Sequence, residues 1–317
     1  MNEILWKPAN TSDTHINKFI DIVNRTYDQD LLTYDDLYHW SVNNISQFWE
    51  TSFKYSEIKY QGTYKKVLDS MHMAPSVKWF PGLNLNFAEN LLKYKDDQTA
   101  IISKIEKHPP KHISYKELYT QVEKLSSALR DLGVCKGDRV AGFMPNIAEA
   151  VIAMLATTSI GAIWSSSSPD FGIKSVTDRF SQIEPKVIFS ASAYLYNGKT
   201  FSSIDKLQEI IKELPTIEKV IIVDYIKTKP DYSEIPKYVD YSKLISKDPG
   251  PLEFEQVPFD HPLYVLYTSG TTGLPKSIVH GTGGTLIQHK KEFLLHCNIR
   301  RDDVVFYYTT CGWMMWN

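Results

Sequence analysis

From Ser114 to Tyr267 the chain alternates apolar runs of strand length with amphipathic stretches of helix length, and this alternation restricts the possible folds more than any other feature. Ser114 and Glu117 form a capping box at the head of the first stretch. Behind it Leu118, Val122, Leu125, Leu129 and Leu132 recur at helical spacing until Gly133 ends the helix. Arg139–Met144 reads as a buried strand, Ala148–Ile160 as a helix and Ala162–Trp164 as a short strand. Ile173–Ile183 is predicted helical and stops before Pro185. Then come a strand at Val187–Ser190, a helix at Ile204–Leu214 and a strand at Val220–Asp224. The proline-rich stretch Lys227–Phe259 is expected to cross the surface as loop, before a strand at Leu263–Tyr267. A helix at Thr285–His296 and a strand at Val304–Tyr308 complete the pattern. Such alternation means βα units, an α/β fold and a mainly parallel sheet. Ligands of such sheets bind at the carboxyl ends of the strands.

One of those carboxyl ends carries unusual chemistry. The stretch YTSGTTGLPKS, Tyr267 to Ser277, packs Thr268, Ser269, Thr271 and Thr272 around Gly270 and follows Gly273 with Lys276. The glycines let backbone N–H groups converge on an anion. The hydroxyls donate to phosphate oxygen, and the lysine adds charge-assisted bonds. A plain hairpin turn is the simpler reading of Gly-Leu-Pro-Lys, but it does not call for four hydroxyls and a cation. The loop is not a Walker A motif, because Pro275 stands where that pattern needs glycine.

Composition removes several other classes. The formal charge of 317 residues is −2, so nothing favours nucleic acid or an acidic membrane surface. Lys104, Lys107 and Lys111 are diluted by Glu106 and Pro109 and read as a solvated loop. Cys135, Cys297 and Cys311 are an odd, widely spaced set, which fits a reducing cytosol better than a disulfide framework. His289 and His296 have no cysteine or HExxH partner, so no metal ligands are assigned. The first residues carry no cationic start and no apolar segment, hence no signal peptide is expected. Ala150–Pro169 has no formal charge, yet Thr157, Thr158 and Ser159 interrupt it, so a buried helix and strand are expected instead of a membrane span. Near the start, Ile16, Phe19, Ile20 and Val23 share one helical face within an aromatic-rich segment.

YTSGTTGLPK resembles the phosphate-binding signature of the adenylate-forming enzymes, the acyl-CoA synthetase and luciferase superfamily. YDDLYHWSV, FPGLNLNFAENLL, KGDRVAGFMPN, IGAIWSSSSPDFG and DRFSQIEPK are similar to its acetyl-CoA synthetase branch. GGTLIQH and GWMMWN are more similar to the branch that activates acetoacetate. The resemblance implies an N-terminal extension of acetyl-CoA-synthetase type over residues 1–100 and a partial AMP-binding domain over residues 101–317, incomplete at its C-terminal side. It implies ATP, Mg²⁺ and CoA as reaction components, with acetoacetate as the acid and acetate or another short acid as the alternative. The carboxylate would attack the α-phosphate of ATP, and the CoA thiol would then displace AMP from the acyl-adenylate.

On this resemblance Lys276 and Thr268 serve catalysis, and Thr268, Ser269, Gly270, Thr271, Thr272, Gly273 and Lys276 hold the ATP phosphates. Trp313, Met314 and Met315 fall where the family lines its acyl pocket, with a core strand end as the alternative for Met315. Arg179 falls where the family places an arginine near the CoA nucleotide phosphate, with an exposed helix arginine as the alternative. The glycines that precede that arginine in the family are replaced here by Ser168, Pro169 and Asp170. The family's adenine-contacting loop, ribose-binding aspartate, hinge and C-terminal domain with its adenylation lysine find no counterpart in this sequence. The expectation is therefore an N-terminal portion that makes no acyl-CoA alone, or a non-catalytic isoform.

Overall fold

The computed structural model of the chain describes residues 10–72, 76–227, 230–268 and 273–317. They form two compact units, one of residues 1–83 with 283–306 and one of residues 84–282 with 307–317.

The first unit is built on helices α1 (His15–Tyr27), α2 (Tyr34–Asn43) and α3 (Ile45–Tyr55). The Thr14 hydroxyl caps α1, and Thr33 with Asp36 makes a capping box for α2. Phe19, Ile20 and Val23 lie buried on one face of α1, as their spacing predicts, against Leu37 and Trp40. Leu295 joins this cluster. It can do so because the expected Thr285–His296 helix is α-helical only over Thr282–Lys291 and widens to a π turn over Glu292–His296. A π turn adds a residue to the turn and so rotates the face that follows.

The second unit holds a seven-stranded sheet. Its strands are β1 (Arg139–Phe143), β2 (Ile163–Ser167), β3 (Val187–Ala191), β4 (Lys219–Val223), β5 (Tyr238–Asp240), β6 (Pro262–Tyr267) and β7 (Ser277–Gly281), in the spatial order β5-β4-β3-β1-β2-β6-β7. Every neighbouring pair is parallel except β6 with β7. The expected α/β fold with a mainly parallel sheet is what the chain forms.

Helices cover the sheet. The Ser114–Glu117 capping box opens α4 (Tyr115–Asp131). Helix α5 (Ala148–Ser159) is buried almost all round, and its Thr158 and Ser159 hydroxyls return to the carbonyls of Met154 and Ala156. The uncharged stretch is thus a core helix and strand, and no helix among the described residues is long and apolar enough to cross a membrane. On the other face, Val176 and Phe180 of α6 (Ile173–Phe180) and Leu207 and Ile210 of α7 (Ile204–Glu213) pack on Ala141, Phe143, Ile188, Val220 and Val265.

Four expectations need correction. Strand β2 does not stop at Trp164 but runs through Ser165, Ser166 and Ser167, all buried. Serine is tolerated there because its hydroxyl finds a carbonyl: Ser165 donates to Val265 and Ser166 to Cys311. The 227–259 stretch is not all surface loop, since β5 adds an edge to the sheet, Tyr241 and Leu244 are buried, and Val257 pairs with Leu85. Its prolines at 230, 236, 249 and 251 lie outside the paired segments, while Pro258 ends the short strand that Val257 opens opposite Leu85. Val304–Tyr308 forms no strand; Val304, Phe306 and Tyr308 are 80%, 83% and 82% exposed. Apolar alternation alone does not make a strand, and this segment takes no place in the sheet, whose edges are β5 and β7. Finally, β7 was not foreseen. The segment with the phosphate-like composition joins two antiparallel strands.

Candidate active site

The carboxyl edge of the sheet gathers the chemistry. Strand β6 ends at Tyr267, and the Thr268 N–H donates to the Lys276 carbonyl at 3.1 Å, closing the neck of the loop. Lys276 is exposed and Thr268 half-buried; Gly273 is exposed with open space around it. Ser269, Gly270, Thr271 and Thr272 lie outside the described residues.

Gln182, just past α6, braces the outgoing arm of that loop. Its amide donates to the Pro275 carbonyl at 2.9 Å and accepts from the Ser277 hydroxyl at 2.7 Å. Both residues flank Lys276, so one side chain sets the direction in which the lysine leaves the hairpin. Sequence reasoning missed Gln182, because nothing within 93 positions of it hints at the contact with Pro275. Gln182→Leu keeps the bulk and removes both bonds. On the adenylate-forming resemblance, the expected outcome in the intact protein is ATP–pyrophosphate exchange slowed about tenfold or more with little change in melting temperature, since small misplacements of a reacting group are costly.

Arg179 points back from α6 toward the same edge. Its guanidinium lies 5.2 Å from the centre of the Phe171 ring and 5.9 Å from that of Tyr267, and it donates to the carbonyl and hydroxyl of Ser175. It is therefore not the freely exposed helix arginine of the alternative reading. Burial pushes its pKa below the usual guanidinium value, while Tyr267 and Asp178 act the other way. Its Nε is buried without a partner, a donor left over for something else. Burial also raises the Tyr267 phenol to about 12, so its hydroxyl stays protonated beside Ser165.

The segment 309–317 runs across this edge. The Ser166 hydroxyl holds the Cys311 carbonyl at 2.7 Å, and the Trp316 indole donates to Asn146, in the turn after β1, at 2.9 Å. Gly312 lies so close to the β2–α6 turn that an added Cβ would sit 2.9 Å from both the Ser168 nitrogen and the Phe171 ring. Only glycine lets the chain cross there. Trp313, Met314 and Met315 then stand 56%, 37% and 64% exposed, so none of them is a core strand end within these residues. Asn146, Ser166 and Gly312 fix the path of this segment, and sequence reasoning did not pick them out. Among the described residues no cluster of three or more His, Cys, Asp or Glu side chains could hold a metal ion. All three cysteines are free.

A mostly parallel sheet, helix-covered on both faces and delivering a hydroxyl- and glycine-rich loop to its carboxyl edge, is the architecture of an α/β ligand-binding domain. Comparison with known proteins narrows it. The family described as "AMP-binding enzyme" matches residues 87–316, and "Acetyl-coenzyme A synthetase N-terminus" matches residues 34–91. The chain belongs to the AMP-binding enzyme family. It is 47% identical over 325 residues to the acetoacetyl-CoA synthetase of Gallus gallus, covering 100% of this chain and 49% of that protein. To the acetoacetyl-CoA synthetase of Mus musculus it is 46% identical over 324 residues, 99% of this chain and 48% of that one. The solved acetoacetyl-CoA synthetase from Streptomyces lividans matches with a TM-score of 0.91 at 40% identity, over 96% of this chain and 47% of that chain. The chain spans about half the length of these relatives.

Proposed function

We propose that the intact protein carrying this chain is an acetoacetate–CoA ligase. It converts acetoacetate, ATP and CoA into acetoacetyl-CoA, AMP and diphosphate through an acyl-adenylate. The observation that supports this reading most is the convergence at one sheet edge of the Thr268–Lys276 hairpin and the Gly312–Trp316 segment, in a chain whose full span resembles acetoacetyl-CoA synthetases.

In this reading Thr268, Ser269, Gly270, Thr271, Thr272, Gly273 and Lys276 bind the ATP phosphates. Lys276 and Thr268 meet the charge that develops as the carboxylate attacks the α-phosphate. Mg²⁺ enters with ATP and supplies charge neutralisation on the phosphate oxygens. Trp313, Met314 and Met315 wall the acyl group. Arg179, with its spare Nε between Phe171 and Tyr267, takes an anionic group of CoA. Residues 1–100 serve as the N-terminal extension and 101–317 as part of the adenylation domain. Three free thiols fit a cytosolic setting.

The decisive assay is ATP–pyrophosphate exchange in the intact enzyme with acetoacetate, acetate or no acid, followed by mass detection of the CoA product. Acetoacetate-dependent exchange and acetoacetyl-CoA are expected. Exchange with acetate but not acetoacetate moves the reading to the short-acid alternative, and no exchange with any acid rejects ligation altogether.

The acyl wall can be tested by shrinking it. Met314→Trp should lower the kcat/KM ratio for acetoacetate over acetate by about 10- to 10²-fold, because a pocket misfit of one or two methylenes is worth about 1–3 kcal/mol. An unchanged ratio would remove Met314 from the wall.

A further inference from the structure

The turn between β2 and α6 carries the Phe171 ring, which lies 5.2 Å from the Arg179 guanidinium and packs against Gly312. Within this turn the Phe171 N–H donates to the Ser168 carbonyl at 3.1 Å, and Pro169 has no N–H to offer. A further hold comes from another element. Lys206, in the first turn of α7, donates from Nζ to the Pro169 carbonyl at 2.9 Å and to the Phe171 carbonyl at 3.4 Å. A lysine is an unfavourable choice at that point of a helix. The first turn is the positive end of the helix dipole, and the Ser203 side chain makes no cap for α7. Lys206 also forms no ion pair among the described residues, so no carboxylate explains its charge. What its half-buried ammonium does is clamp two carbonyls of one turn.

We infer that Lys206 is a positioning residue for the CoA half of the reaction. By clamping the turn it keeps the Phe171 ring beside Arg179, and so holds that guanidinium in place for the anionic group of CoA. This rests on the ligase reading above and on the role it gives Arg179. Adenylation does not depend on the clamp. Gln182 braces the Lys276 hairpin, and the 309–317 segment has its own bonds from Ser166 and to Asn146.

The test separates the two half-reactions in the intact protein. ATP–pyrophosphate exchange with acetoacetate needs no CoA and reads adenylation, whereas acetoacetyl-CoA formation at varied CoA reads the second step. Lys206→Met keeps an unbranched stem and removes the charged donor. It should raise KM for CoA about tenfold, while exchange and melting temperature keep their original values. Lys206→Arg can still donate to both carbonyls and should restore most of the loss. Arg179→Gln should raise KM for CoA by itself. Adding Lys206→Met to it should change little further, because both act through the same guanidinium. If Arg179→Gln raises KM for CoA and Lys206→Met does not, the clamp is wrong and the ligase reading stands. Additive effects in the double variant, or a joint fall of exchange and melting temperature in Lys206→Met, give the lysine a general structural role and overturn the inference as well. If Arg179→Gln leaves KM for CoA where it was, the CoA role of Arg179 falls first and takes the clamp with it.

Discussion

On the proposed ligase reading, replacing Lys276 with alanine is expected to slow adenylation by about 10²–10³-fold in the intact protein, the usual cost of one positioned transition-state donor. The reason lies in where the hairpin holds this residue. Its carbonyl closes the loop neck with the Thr268 N–H, and Gln182 grips the residues on both sides. The side chain itself is exposed, so alanine removes no core packing. The folded state should therefore keep its melting temperature while pyrophosphate exchange collapses. Lys276→Arg tests geometry against charge, because it restores the charge on a planar fork that does not reproduce a point ammonium. Exchange near the original rate in the alanine variant would remove Lys276 from the phosphate site.

The largest stability effect is expected at Trp164. Its indole is fully buried and fills the space that Gly142 leaves open on the adjacent strand, where an added Cβ would lie 2.7 Å from the ring. It also packs against Phe189. Trp164→Ala opens a cavity in the middle of the sheet and should cost about 3–5 kcal/mol. For a unit of this size that lowers the melting temperature by roughly 10 °C. Trp164→Phe is the informative control. The indole N–H is buried without a partner, so phenylalanine gives up volume but also removes an unsatisfied donor, and it should cost less than about 1.5 kcal/mol. Thermal unfolding followed by near-ultraviolet circular dichroism reads both. A tolerant alanine variant would mean that the Gly142–Trp164 contact does not hold the sheet together.

How much of this was legible beforehand follows from the range of each interaction. Strands β1, β3, β4 and β6 and helices α4 to α7 announce themselves because hydrophobic period, caps and glycine stops act within about a dozen residues. The Ser114–Glu117 box and the buried face of α1 fall where their spacing puts them. The hydroxyls, glycines and lysine of Thr268–Lys276 were equally visible as a stretch suited to an anion, and the structure places its ends at the carboxyl edge of the sheet. β2 was read short because serine looks like a strand breaker until the carbonyls of Val265 and Cys311, 100 and 145 residues away, are in place to accept its hydroxyls.

By itself, then, the sequence determined the α/β class and the order of most elements, and it concentrated hydroxyls, glycines and a lysine in one loop, all of which depend on local periodicity and side-chain chemistry. The tertiary structure alone decided which distant residues meet at the carboxyl edge of the sheet. Gln182 on the lysine hairpin, Gly312 against the Ser168–Phe171 turn and Asn146 on Trp316 are all pairings between far-separated segments. It also decided that Val304–Tyr308 stays outside the sheet, although its apolar pattern suits a strand. Pairing is a competition for backbone partners, and it is settled only when the sheet has been assembled in space.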